Sequence, residues 1–147
     1  MAVNMDLSGI DGLLEDIKKV CSEDELNKTN KSILKKCGKL VQNKAGSKAP
    51  KSKNPWNSGR KGSRSGKHMA DNIPISAVKN KNGQLYILVG WEKGDSSPYF
   101  YAKFIEYGWG TSKNKPQPFL QNSLKEESTE FYNIAKQEYS KLLADFS

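Results

Sequence analysis

The sequence lacks most of the features that mark an enzyme, a metalloprotein or a membrane protein. It contains one histidine and only two cysteines, which do not form a C-x-x-C pair. No nucleotide-binding, zinc-protease or serine-hydrolase motif occurs, and no run approaches the ~18 apolar residues that cross a bilayer. The N-terminus shows no basic segment followed by an apolar run, so we expect no signal peptide. We therefore predict a protein that is not an enzyme and that uses no cofactor, metal or membrane.

The few side chains that could carry chemistry have simpler structural interpretations. Cys21 and Cys37 fall on apolar positions of helical patterns, which favours buried free thiols over a disulfide or a metal pair. His68 has no Cys or carboxylate neighbour at ligand spacing, so a solvated side chain is favoured over a metal ligand. Glu106 has no second titrating group beside it, and we expect it to pair with a lysine or to cap backbone amides rather than to act as a general base.

Positive charge is concentrated in one part of the chain, although the net charge is +8 over 147 residues. Residues 1–30 carry three Lys against seven acids, residues 31–70 carry twelve Lys or Arg and no acid, and residues 71–147 carry nine of each sign. Within the basic part, residues 46–67 are rich in Gly, Ser, Pro and Lys and lack apolar periodicity, so we expect a flexible basic arm or loop. Its candidate contact residues are Lys48, Lys51, Lys53, Trp56, Arg60, Lys61, Arg64 and Lys67.

The composition of the arm leaves three interpretations open. Its cations could follow a phosphate backbone, because neutralised phosphates release counterions, and Trp56 could stack on a base. The arm could instead dock on an acidic protein surface, or it could be a solvated linker. Charge alone does not separate these interpretations, so a small nucleic-acid-binding protein is one candidate function.

Apolar periodicity predicts helices at both ends of the chain. A first amphipathic helix is expected over residues 10–21, and the capping-box pair Ser22 and Glu25 opens a second helix that should fray near Ala45-Gly46. Pro118 starts a last helix, whose apolar stripe runs from Leu120 to Phe146.

The middle of the chain predicts a small antiparallel sheet and a short helix. Residues 73–77 suit an edge strand that tolerates proline, residues 84–91 form the strongest strand, and the Asn82-Gly83 pair between them indicates a hairpin turn. A short helix over residues 98–107 should end at Gly108 in a left-handed conformation. The expected fold is one α+β domain over residues 1–147, with two N-terminal helices, a long basic arm, the small antiparallel sheet, the short helix and the long C-terminal helix.

The most specific segment is YAKFIEYGWGTSKNKPQPFL, residues 101–120. Its Tyr-Ala start, its Glu-aromatic-Gly centre and its Pro-Phe-Leu end resemble the small neck or tail-component family of long-tailed bacteriophages and prophages (gene-product-ten-like). The similarity covers about residues 8–125, and two departures are visible: Trp109-Gly110 stands between Gly108 and Thr111, and the basic arm is longer than usual. A weaker match upstream consists of Gly38, Val41, Ala49-Pro50, Ser65-Gly66 and Ile73.

This resemblance implies a structural virion protein of the neck or tail that is made in the bacterial host cytoplasm and has no cofactor. It implies a homo-oligomer, a hexameric ring, that contacts neighbouring connector and tail proteins, with non-specific contact to packaged DNA as a further expectation. We therefore expect head–tail joining or tail completion, and the alternative is a tail-terminator ring that stops growth of the tail tube. The residues expected at the assembly interface are Tyr101, Glu106, Tyr107, Gly108, Trp109, Thr111, Pro118 and Phe119.

Overall fold

The computed structural model describes residues 2–6, 15, 17–19, 21–57, 64–92, 97–99, 101–108 and 115–145. These residues combine helices with a small antiparallel sheet, which confirms the predicted α+β class. The elements, in chain order, are strand β1 (Ala2–Asp6), helix α1 (Glu23–Lys48), strand β2 (Lys79–Lys81), strand β3 (Gln84–Gly90), helix α2 (Ala102–Tyr107) and helix α3 (Phe119–Ala144). Two short 3-10 turns, Pro55–Asn57 and Met69–Asp71, lie between α1 and β2.

Helix α1 begins where the capping box predicts. The Ser22 Oγ accepts a hydrogen bond from the Glu25 amide at 3.3 Å, and the Glu25 carboxylate accepts one from the Ser22 amide at 3.2 Å. The two bonds satisfy amides at the helix start that have no intrahelical acceptor.

The end of α1 differs from the prediction, because the helix continues to Lys48 instead of fraying near Ala45-Gly46. Ala45 is fully buried, and the Ala70 carbonyl oxygen lies 3.0 Å from the point where a Cβ of Gly46 would stand. Packing of the Met69–Asp71 turn on the helix thus outweighs the low helix propensity of glycine. The first three residues of the predicted arm, 46–48, are therefore helical.

Helices α1 and α3 pack antiparallel and form the largest helix–helix contact among the described residues. Their direction is visible in two ion pairs, Lys36 with Glu138 and Lys48 with Glu126. The Tyr139 hydroxyl, which lies in this interface, donates a hydrogen bond to the Asn30 side chain. The buried side chains that the pair contributes to the core include Ile33, Leu34, Cys37 and Val41 from α1, and Phe119, Leu120, Ala135, Tyr139 and Leu142 from α3.

The sheet has the strand order β1-β3-β2, and both strand pairs are antiparallel. Strands β2 and β3 are joined at Asn82-Gly83, where both residues have positive φ, 54° and 84°. Two successive positive φ values are typical of the tight hairpin turn that the Asn-Gly pair predicts. One face of the sheet packs on α1, and Ile87 and Val89 of β3 are buried there.

Two strands of the sheet differ from the prediction. In the expected edge strand over residues 73–77, Ile75 forms only an isolated bridge with Val89, and the strand that pairs in the hairpin is β2. Pro74 has no amide hydrogen to contribute to a ladder, which limits regular pairing there. Strand β1 was not predicted, and it pairs with β3 over its whole length.

Of the first predicted helix, Glu15, Ile17 and Lys18 are helical, and Ile17 is fully buried. Its remaining apolar positions Ile10, Leu13, Leu14 and Val20 lie outside the described residues, as does Phe146 of the last helix. The two cysteines are free thiols, as expected; Cys37 is buried, but Cys21 is only half-buried, which differs from the expected burial of both.

Candidate assembly site

The carboxylate of Glu106 is buried at the N-terminus of α3. Its side chain is only 1% exposed, and its two oxygens accept hydrogen bonds from the Leu120 amide at 3.0 Å and the Gln121 amide at 3.1 Å. Amides in the first turn of a helix have no intrahelical acceptor, and the helix dipole favours negative charge there. Because the cap position itself is Pro118, which provides no side-chain acceptor, Glu106 supplies the cap from the end of α2. The expected capping of backbone amides by Glu106 is thus confirmed.

A second bond closes the base of the loop that connects α2 to α3. The Gln117 amide donates to the Ile105 carbonyl oxygen at 2.8 Å. Gly108 leaves α2 with φ 80° and ψ 167°, so the expected positive φ is present, but the extended ψ differs from the predicted left-handed cap. The chain therefore leaves α2 and returns to α3 at one place, the corner around the buried Glu106 carboxylate. Trp109 and Thr111, two of the predicted interface residues, lie in the part of this loop outside the described residues.

Three neighbouring aromatic side chains pack on the other side of this corner. The Tyr99 ring lies 6.0 Å from the Trp91 ring and 6.4 Å from the Tyr101 ring, measured between centroids. Trp91 and Tyr99 are buried and Tyr101 is half-buried; burial, and to a smaller extent Tyr99, raises the pKa of Tyr101 above its ordinary value. The Tyr99 hydroxyl lies 3.0 Å from the Ser65 Oγ, which connects the end of the basic arm to this corner.

The predicted interface residues that the structure describes differ in how far they are buried. Glu106 and Phe119 are buried inside the subunit, at 1% and 3% exposure, so they shape the corner from within. Tyr107 is 57% exposed and is available to a neighbouring molecule. The partly buried residues Tyr101, Gly108 and Pro118 lie between these extremes.

The basic arm is attached to the domain at several points. Lys48 ends α1 and pairs with Glu126 at 2.5 Å, and this hydrogen bond is the main cause that holds the pKa of Glu126 below its ordinary value. Lys51 pairs with Asp71 at 3.2 Å. Trp56 is 61% exposed, and its ring lies against the backbone of Gly66, where a Cβ would stand 2.3 Å from it.

The remaining predicted arm residues are Lys53, Arg64 and Lys67, which are exposed, and Arg60 and Lys61, which lie outside the described residues. Sequence reasoning placed the positive charge on the arm and overlooked lysines in the preceding helix. The signal that could have revealed them is the three- and four-residue spacing of Lys28, Lys31, Lys35 and Lys39.

His68 is half-buried at the edge of a cavity of about 300 Å³ between the arm and α2, which is more covered than the solvated side chain that we expected. The described residues contain no group of three or more metal-ligating side chains, and none of their helices is long and apolar enough to cross a membrane.

Comparison with protein families matches residues 11–108 to the family described as "HK97-gp10_like: Bacteriophage HK97-gp10, putative tail-component". The match covers 98 residues (108 − 11 + 1), which is two thirds of the chain, and includes α1, the β2–β3 hairpin and α2. It assigns the protein to the structural components of phage tails. The chain belongs to the HK97-gp10-like family, which confirms the resemblance drawn from the sequence. Comparisons with curated proteins and with solved structures found no match.

Proposed function

We propose that this protein forms a closed ring of six copies in the neck of a tailed phage, where it joins the head connector to the tail. The family match carries the proposal, because it assigns the chain to the structural components of phage tails. The virion is accordingly the proposed location, and the proposed partners are copies of the same chain and the adjacent connector and tail proteins.

The corner around Glu106 supports an assembly role for the α2–α3 loop. A loop contributes most to binding when little conformational entropy is lost on contact, and both ends of this loop are held by bonds inside the domain. The buried Glu106 carboxylate fixes the start of α3, and the Ile105–Gln117 hydrogen bond closes the base. In a ring, one surface of each copy meets a different surface of the next. We assign Tyr107, Trp109 and Thr111 to one side of this contact.

The basic arm, residues 46–67, supplies a second contact in this proposal. Trp56 is exposed, and large exposed aromatics are enriched among the residues that contribute most to interfaces between proteins. We assign the arm to the connector or tail protein adjacent to the ring.

Electron microscopy of particles made without the protein tests the role in joining. A joining protein predicts filled heads and tails of normal length that remain separate. Tails of irregular, excess length would support a tail terminator instead, and normal infectious particles would contradict both roles.

A matched pair of variants tests the surface. Tyr107 and Tyr132 are both more than half exposed, at 57% and 54%, but only Tyr107 lies at the loop. Tyr107→Ala should lower the yield of joined particles, whereas Tyr132→Ala should leave it unchanged. Equal yields from the two variants would remove Tyr107 from the proposed contact.

A further inference from the structure

A row of four exposed lysines runs along the outward face of α1. It consists of Lys28, Lys31, Lys35 and Lys39, and their spacing of three or four residues places them on one side of a helix. The row extends over eleven residue steps, which is ~16 Å along the helix axis. The buried side chains of α1 occupy the opposite side, so the row faces away from the core of the subunit.

The charge of this row is not neutralised within the described part of the chain. Other lysines of the same helix pair with α3: Lys36 with Glu138, and both Lys44 and Lys48 with Glu126. Among the described residues, no ion pair involves any member of the row. The sequence also contains no acid between Glu25 and Asp71. Lys31, Lys35 and Lys39 are spaced four residues apart. Like charges at this spacing destabilise an isolated helix, and an anionic partner would offset their repulsion.

The composition of this face favours a nucleic acid over a protein partner. Protein interfaces are enriched in aromatic residues, Met and Arg and depleted in Lys. The helix residues from 27 to 43 include no aromatic residue, Met or Arg. Single-stranded nucleic acid is held largely by stacking on aromatic side chains, and this segment provides none. Regularly spaced point charges on a rigid helix suit phosphates on a duplex, which positive side chains contact without reading the sequence.

We propose that the outward face of α1 binds the phosphate backbone of duplex DNA through Lys28, Lys31, Lys35 and Lys39, without sequence preference. This inference rests on the charges of α1 and does not require the ring. If both hold, α1 faces the path that the DNA takes through the particle.

The test is binding of the purified full-length protein to a fluorescently labelled DNA duplex at several salt concentrations. The row variant replaces Lys28, Lys31, Lys35 and Lys39 with Gln. A control variant replaces the exposed Lys81, Lys115, Lys125 and Lys136, and an arm variant replaces Lys53, Arg60, Lys61 and Lys67, also with Gln. All three variants lose four positive charges, so they share one net charge, and circular dichroism verifies that each is folded.

The row variant should bind the duplex at least about tenfold more weakly than the wild type at low salt. The slope of log affinity against log salt should also become shallower by about 3 to 4, because each of the four lost phosphate contacts contributes ~0.9 to the slope. The control variant should stay within about twofold of the wild type. An equal loss in the row and control variants would show that only net charge matters, which overturns the proposal. Wild-type affinity in the row variant would overturn it too, whether the arm variant loses binding or not. Absence of duplex binding by the wild-type protein would also show that the proposal is wrong. If a tail or connector protein then binds the wild-type protein but not the row variant, the partner of the row is an acidic protein.

Discussion

Glu106 and Leu120 are joined by a hydrogen bond of 3.0 Å between a buried carboxylate oxygen and an amide of the first turn of α3. The bond connects the short helix α2 to the long helix α3 across the loop that the two helices enclose. The position of α3 against α1 and the positions of the two ends of the loop therefore depend on the same side chain. A change at Glu106 should consequently affect both the stability of the subunit and its assembly.

Glu106→Ala should lower the free energy of unfolding by about 2–4 kcal/mol, because it removes two charge-assisted hydrogen bonds and leaves two amides without an acceptor. Glu106→Gln should lower the free energy of unfolding by a smaller amount. Its side-chain carbonyl oxygen can still accept one hydrogen bond, although its NH₂ group, a donor, then faces the other backbone amide, which is also a donor. Urea denaturation measures both values. Glu130→Ala, on the exposed side of α3, is the control and should change stability by less than about 0.5 kcal/mol. A loss equally small for Glu106→Ala would contradict the capping role.

Phe119→Ala should cost about 3–5 kcal/mol of stability, because Phe119 is 3% exposed and its removal leaves a cavity beside Leu120. Thermal unfolding measures the effect, and Tyr132→Ala is the control because Tyr132 is 54% exposed. If the melting temperature of Phe119→Ala barely moved while assembly was lost, Phe119 would be an interface anchor and not a core residue.

The ion pairs between α1 and α3 should make stability depend on acid. A hydrogen bond from Lys36 is the main cause that holds the pKa of Glu138 below its ordinary value of 4.5. Because the folded-state pKa is lowered, the pair stabilises the fold above that ordinary value, and the contribution is lost as the pH falls through the lowered pKa. The free energy of unfolding should therefore fall more steeply below pH 4.5 for the wild type than for Glu138→Gln.

Urea denaturation at neutral pH and at roughly pH 3 compares the two proteins across this range. Glu130→Gln is the matched control, and its stability should follow that of the wild type at both pH values. Parallel losses in the wild type and Glu138→Gln would show that the pair contributes nothing measurable.

The two thiols should react at very different rates in the folded protein. Burial raises the pKa of Cys37 to about 12, so its thiolate, the reactive form, is almost absent at neutral pH. Burial and the charge of Glu25 also raise the pKa of Cys21. Cys21 is only half-buried, however, so a reagent can reach its sulfur. Iodoacetamide should modify Cys21 at least about tenfold faster than Cys37. Peptide mass spectrometry measures the ratio, and the difference should vanish in denaturant; similar rates in the folded protein would place Cys37 outside the core.

Local signals in the sequence were sufficient to predict several elements. The capping box at Ser22 gave the start of α1, and the Asn82-Gly83 pair gave the hairpin turn, because each depends on residues that are close in the chain. Glu106 was predicted either to pair with a lysine or to cap amides; the choice between the two, and the particular amides, depend on how α2 and α3 pack.

The features that the sequence did not predict depend on contacts between distant residues. Strand β1 is a five-residue segment that is a strand because it pairs with β3, whose partner residues come eighty or more positions later in the chain. The last turn of α1 forms because the Met69–Asp71 turn packs on Gly46. The lysines of α1 look alike in sequence. Only the structure shows that Lys36, Lys44 and Lys48 pair with acids of α3, whereas the lysines of the outward row do not.

Reconstruction of intact particles by electron microscopy tests the central proposal most directly. We predict six copies related by rotational symmetry at the junction of head and tail, with the loop after Tyr107 at the contact between neighbouring copies. Copies that do not follow rotational symmetry, or a junction that does not contain the protein, would contradict the proposed neck ring.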